Sequence, residues 1–180
     1  MRWSGPLPGG ENPEPHGSAR PGNRLIDRRE VPVDVPPEVA FAPIRDIGGS
    51  NGWYAYDALW RLRGAIDLLL GGVGMRRGRR ENGDLRVGDV LDGWRVEAIE
   101  DGRRLRLVAE MKLPGRGWLE FVVEPWGGGS ILRQTALFEP AGLRGLAYWY
   151  LLYPFHVLVF RGMIRAIAAI GSSRAPRSSS

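Results

Sequence analysis

Arg103 to Leu113 reads RRLRLVAEMKL, and its period is two: Leu105, Leu107, Ala109, Met111 and Leu113 alternate with Arg104, Arg106, Glu110 and Lys112. Successive side chains of a strand point to opposite faces, so this stretch predicts a sheet with one apolar face and one wet face. Asp101-Gly102 before it and Pro114-Gly115-Arg116-Gly117 after it predict hairpin turns. Four strands are expected, at about residues 94–99, 103–113, 118–124 and 130–138, joined as an antiparallel meander. If the second turn pairs Leu113 with Trp118, Met111 faces Glu120 and Arg106 faces Glu124 on the wet side.

Working outward, Val31, Val33 and Val35 alternate in DRREVPVDV (residues 27–35) and predict another half-buried strand, with Pro32 placing it at an edge. Pro36-Pro37 ends it. Residues 38–47 then predict a short helix or turn that Pro43 breaks or kinks. Ser50 and Asn51 are good caps for the helix expected in WYAYDALWRLRGAIDLLLGG (residues 53–72). Ala55, Ala58, Leu59, Leu62, Ala65, Ile66 and Leu69 share its apolar face, and Trp53, Tyr56 and Trp60 border that face. Leu143 to Ile170 predicts a second long helix, kinked or split at Pro154.

Charge divides the chain in the same way. The formal net charge of +5 is carried by 25 basic residues, of which only Lys112 is a lysine, against 20 acidic ones. Residues 1–40 hold 5 basic and 6 acidic side chains, residues 41–140 hold 15 and 14, and residues 141–180 hold 5 and none. The body is nearly neutral, which argues against a nucleic-acid-binding face. There is no cysteine, so disulfides, thiolate metal sites and cysteine nucleophiles are excluded. Residues 1–24 are rich in Pro, Gly, Asn and Ser without an apolar run, so a disordered arm without a secretory signal is expected there, and residues 171–180 read as a flexible tail. A single domain is expected over 25–170, in a cytoplasmic protein.

The chemistry-bearing motifs are few. In GGVGMRRGRR (residues 71–80) the glycines at 72, 74 and 78 miss the dinucleotide spacing, and the segment follows a helix instead of a strand. Its Arg76, Arg77 and Arg79 form either a solvated loop or an anion contact. His156 lies in an apolar helix without a carboxylate near it in sequence, so no triad or metal site has local support. Glu120 is the best single ionisable candidate for an interior position; paired on the surface, it has no such role. GLAYWYLLYPFHVLVF (residues 145–160) has no formal charge but is shorter than a bilayer span, with Arg144, Arg161 and Arg165 at its borders. It reads as a core helix, as an interfacial helix with a basic rim, or as a kinked transmembrane segment.

Strand, short helices, long helix, meander and closing apolar helix, in that order, resemble the helix-grip domains of the START and birch-pollen-allergen type, the SRPBCC superfamily. VPVDVPPEVAF resembles its opening strand and proline-initiated helix. WYAYDALWRLRGAIDLLLGGVGMRRGRR, LRVGDVLDGWRVEAIEDGRRLRLVAEMKLPGRGWLEF and YWYLLYPFHVLVFRGMIRAI resemble a bacterial domain-of-unknown-function family often found C-terminal to an NAD(P)-binding short-chain-dehydrogenase-like domain. The resemblance implies an α+β fold in which a curved antiparallel sheet wraps a long C-terminal helix. Two functions follow as expectations: a non-enzymatic module with an apolar cavity for a lipid-like or aromatic small molecule, or an accessory domain or small enzyme working with a separate NAD(P)-dependent short-chain-dehydrogenase-like partner. Attachment to a membrane surface through the last helix is a third. No cofactor or metal is expected. Trp60, Trp94, Met111, Trp118, Tyr150 and His156 are expected to line the cavity, with Glu120 beside them and Trp53 and Tyr56 near a mouth.

Overall fold

The computed structural model describes residues 24–48, 52–54 and 85–174. Its elements are β1 (Leu25–Val33), α1 (Pro37–Arg45), β2 (Val90–Leu91), β3 (Trp94–Glu100), β4 (Arg104–Ala109), β5 (Gly115–Trp126), β6 (Gly129–Pro140) and α2 (Gly142–Ser173). The six strands form one antiparallel sheet in the order β1-β6-β5-β4-β3-β2. Apart from the pairing of β1 with β6 it is a meander, since each later strand follows its neighbour in sequence. The sheet curves around α2, so the expected helix-grip architecture is present.

Alternation places the core. Val33, Val96, Leu105, Leu107, Leu119, Phe121, Val123 and Leu132 line one face of the sheet and are buried. Against them lie Phe41 and Ile44 of α1 and Met163, Ile164 and Ile167 of α2. Pro32 sits exposed on the edge strand, where its missing N–H costs no ladder hydrogen bond. Pro36 caps α1 and Pro37 opens it, while Pro43 is accommodated inside the helix and its carbonyl accepts a bond of 2.9 Å from the Tyr54 hydroxyl.

Three local expectations are corrected. The β4–β5 turn is not at 114–117: β4 stops at Ala109, residues 110–114 make the connection, and residues 115–117 already belong to β5. Twelve residues of β6 offer Gly115, Arg116 and Gly117 the partners Pro140, Glu139 and Phe138, and a paired backbone wins over an open turn. Gly115 is required there, because a Cβ would lie 2.2 Å from the Glu139 carbonyl oxygen. The register therefore pairs Arg106 with Glu120 and Leu107 with Leu119. Met111 and Glu120 are not opposite one another.

The second correction concerns a strand missing from the sequence reading, β2. It turns into β3 through Asp92-Gly93, both at positive φ, the conformation that two-residue hairpins favour. The third concerns α2, which Pro154 does not split in two: Gly142–Ser173 is one helix. Proline removes the hydrogen bond to the Tyr150 carbonyl, but both residues lie on the exposed side, where that carbonyl is open to solvent. The predicted helix over 53–72 falls outside the described residues from position 55 onward; Trp53 and Tyr54 lie in a turn.

Candidate functional site

The inner face of the sheet and α2 enclose an interior that differs along the helix. Over its C-terminal half α2 is gripped closely: Val159, Phe160, Met163, Ile164, Ile167, Ala168 and Gly171 are buried, and a Cβ at Gly171 would lie 3.3 Å from the backbone of Ala40 in α1. Over the first seventeen residues of α2 only Gly145 and Trp149 are buried. Gly145 lets the helix start close against the β4–β5 connection; a Cβ would come within 2.3 Å of the Pro114 carbonyl oxygen. That carbonyl accepts the Ala141 N–H at 2.9 Å.

Where the grip is loose, the interior is aromatic. Trp149 stacks on Phe138 of β6, with centroids 5.7 Å apart and planes 9° apart. His156 meets the Trp149 ring edge-on at 5.3 Å and stacks on Phe160 at 5.4 Å. Trp149, His156 and Phe160 recur at seven and four residues, so one stripe of the helix carries all three. At the other side of the core Trp53 and Trp94 lie 6.0 Å apart.

Beside this apolar lining lies a polar island. On β1 the phase that buries Val33 and half-buries Val31 also turns Arg29 and Asp27 inward. Arg29 donates from Nη2 to Asp27 Oδ2 at 2.6 Å, and the two side chains are only 16% and 9% exposed. Across the ladder Arg29 pairs with Gln134 of β6, and on its other flank Gln134 pairs with Phe121 of β5. Gln134 is 1% exposed, yet neither its amide nitrogen nor its carbonyl oxygen finds a hydrogen-bond partner. Nε of Arg29 is likewise buried without one.

Sequence reasoning placed the aromatics unevenly. Trp53, Trp94 and Met111 are buried in the core, and His156 lies in the aromatic stripe. Trp118 and Glu120 point the other way. They share the outer face, where Trp118 Nε1 donates to Glu97 at 3.4 Å, the Arg106 and Arg116 guanidiniums lie over its ring, and Arg104 donates to Glu120 at 2.7 Å. The cause is parity: Leu119 and Phe121 own the inward phase of β5, so their neighbours cannot share it. Tyr150 is also corrected, being 63% exposed on the outer side of α2, one residue from the buried Trp149. Tyr56, Trp60, Arg76, Arg77 and Arg79 lie outside the described residues.

Asp27, Arg29, Gln134 and Trp149 were missed. Polar residues in phase with Val31, Val33 and Leu132 were the available signal. Among the described residues no group of three or more His, Asp or Glu is placed to hold a metal.

The chain is similar to the solved Zhui aromatase/cyclase from Streptomyces sp. R1128, at 13% identity over 87% of this chain and 98% of that one, with a TM-score of 0.53. It is similar too to the di-domain ARO/CYC StfQ from the steffimycin biosynthetic pathway, at 13% identity and a TM-score of 0.51, covering 85% of this chain and 52% of that one. Ara h 8.0201 aligns at 14% identity over 84% of this chain and all of its own, with a TM-score of 0.47. For the first two, at identities this low, the likeness shows the fold alone. No curated protein matches the sequence. The model of the family described as Protein of unknown function (DUF2867) matches residues 20–163, most of the chain, and the chain belongs to that family.

Proposed function

We propose that this protein is a cytoplasmic binding module that holds a lipid-like or aromatic small molecule between the inner face of the sheet and the N-terminal half of α2, without transforming it. The observation that carries this reading is the change along α2: close apolar packing from Val159 onward, and before it a stripe of Trp149 and His156 over Phe138. Apolar walls with a few convergent polar groups are the usual make-up of a small-molecule site. The shared fold with an aromatase/cyclase is consistent with an aromatic occupant. Native mass spectrometry of freshly purified protein tests the reading. A co-purified apolar molecule that is retained by wild type and lost from Trp149→Ala is the expected result. Adding a dehydrogenase-like partner to the same preparation tests the accessory role: unchanged ligand binding and turnover would sink it.

A second reading, contact with a membrane surface, is favoured by the outer side of α2. Leu143, Tyr150, Leu151, Phe155 and Leu158 are exposed there, with Leu143 at 83% and Leu151 at 75%. Arg144, Arg161 and Arg165 are exposed on the same helix, and residues 141–180 carry no acid to repel an anionic lipid. The helix is long and apolar enough to cross a membrane by length and composition, although one face is held by the sheet. Cosedimentation with vesicles of mixed neutral and anionic lipid should decline in the double variant Leu151→Glu, Phe155→Glu. Equal cosedimentation of both proteins rejects the reading.

A further inference from the structure

The geometry points to a hydroxyl-recognising subsite on the inner face of β1 and β6, formed by Gln134 and Arg29, that takes the neutral polar end of an otherwise apolar ligand. This rests on the binding-module reading and narrows it to ligands carrying an alcohol or phenol.

The first step is the hydrogen-bond balance. A buried amide left without partners gives up its hydrogen bonds to water and regains none, a cost paid for each unsatisfied group. Native interiors avoid this, so a fully buried glutamine with both amide atoms unpartnered calls for an explanation. Gln134 is such a residue, and its neighbour Arg29 adds an unpartnered Nε–H. The backbone register holds the two side by side across the β1–β6 ladder. The site thus offers two donors, Arg29 Nε–H and the Gln134 amide, and one acceptor, the Gln134 carbonyl.

The second step is charge. Asp27 already neutralises Arg29 through the 2.6 Å bond. An anionic ligand would bring a second negative charge to an interior where Asp27 stands, and the desolvation of that charge would go uncompensated. A neutral group that both accepts and donates matches what is left, and a hydroxyl does so with a single oxygen. Phe121 on one flank of Gln134 and the Phe138–Trp149 stack on the same face of β6 supply the apolar surroundings that an aromatic alcohol needs.

The test uses the full chain and three probes of similar shape: 2-naphthol, 2-methylnaphthalene and 2-naphthoate, titrated against intrinsic tryptophan fluorescence. Wild type should bind 2-naphthol about tenfold to a hundredfold more tightly than 2-methylnaphthalene, and 2-naphthoate least well. Gln134→Met, close in volume but without the amide, should erase the naphthol preference while leaving 2-methylnaphthalene affinity and the melting temperature unchanged or higher. Equal binding of naphthol and methylnaphthalene, a preference for naphthoate, or an undiminished preference in the variant overturns the subsite while leaving the apolar module standing. Failure of all three probes to bind overturns both. Should the variant not fold, the Gln134 side-chain NH2 signals of labelled wild type decide: they must shift with 2-naphthol and stay in place with 2-methylnaphthalene.

Discussion

Strand β1 takes part in an arginine–carboxylate pair on each face of the sheet, and the two are built differently. Outside, Glu30 accepts from Arg133 at 2.7 Å, and Arg133 reaches on to Glu124 at 3.2 Å. The outer face continues this weave through Arg104 with Glu120 and Glu100, Arg106 with Glu97, and Arg95 with Glu110. Its charges answer one another in water, and the body of the chain, with 15 basic residues against 14 acidic ones over 41–140, is nearly neutral. Inside, Asp27 and Arg29 make a single pair beside an amide with nothing to bind. A solvated network can be changed piece by piece at little cost. A desolvated one makes each member depend on the others, and there unused hydrogen-bonding capacity marks a place for a ligand.

The largest effect expected from breaking this contrast is on β5. Phe121→Ala removes a fully buried ring from the inner face and should cost about 3–5 kcal/mol in urea unfolding. Trp118→Ala, three residues earlier but outward, loses a larger ring that lies under the Arg106 and Arg116 guanidiniums and donates to Glu97, and should cost roughly 1–2 kcal/mol. Equal costs would mean that the outer face is a second core.

Next comes the inner pair. Asp27→Ala leaves the Arg29 charge largely buried without its partner and should cost about 2–4 kcal/mol, somewhat under the range for fully enclosed pairs because Arg29 keeps a little exposure. Replacing both partners, with Asp27→Leu and Arg29→Met together, should return stability to within about 1 kcal/mol of wild type. A double variant as unstable as the single one would show that the pair supports the fold itself.

These inward charges also show what the sequence concealed. The strand pattern was legible because Leu105 and Leu107, or Val31 and Val33, repeat at the spacing a pleated strand imposes. The same period carries Asp27 and Arg29 inward, but a charged residue in an apolar phase reads as the end of the strand unless its partner is known, and that partner is two residues away on the same face. Gln134 is hidden for a related reason, since its setting depends on β1 lying beside β6, which brings it opposite Arg29 from across most of the chain. The register of β4 against β5 was lost at Gly115, where turn composition and strand pairing compete and the length of β6 decides. Tyr150 and Trp149 are adjacent aromatics on an apolar helix, and only the contact with Phe138 tells which faces in.

The grip on α2 sits between the two faces in cost. Gly145→Ala would drive a methyl group into the Pro114 carbonyl oxygen and the Pro140 backbone, neither of which can rotate away. A loss of about 1–3 kcal/mol is expected, together with weaker ligand binding, because the displaced helix start carries Trp149 off Phe138. Unchanged stability would show that the loose half of α2 yields without cost.

The smallest effect belongs to the outer weave. Arg133→Ala should cost under about 1 kcal/mol, since exposed pairs seldom give more. Its pH behaviour is specific. The hydrogen bond to Glu30 raises the Arg133 guanidinium above its already high ordinary pKa, burial opposes the rise, and the charges of Glu30 and Glu124 add to it. A cation whose folded pKa is raised contributes stability that is complete below its unfolded pKa and lost only as pH climbs through the folded value. Both values lie above the range of ordinary experiments, so the wild-type and Arg133→Ala stabilities should differ by the same amount from about pH 6 to pH 9. Salt is the variable that moves it: near 1 M sodium chloride screening acts over about 3 Å, and the difference should shrink. A difference that holds at high salt would place Arg133 among desolvated charges like Arg29, and the contrast between the two faces of β1 would fail.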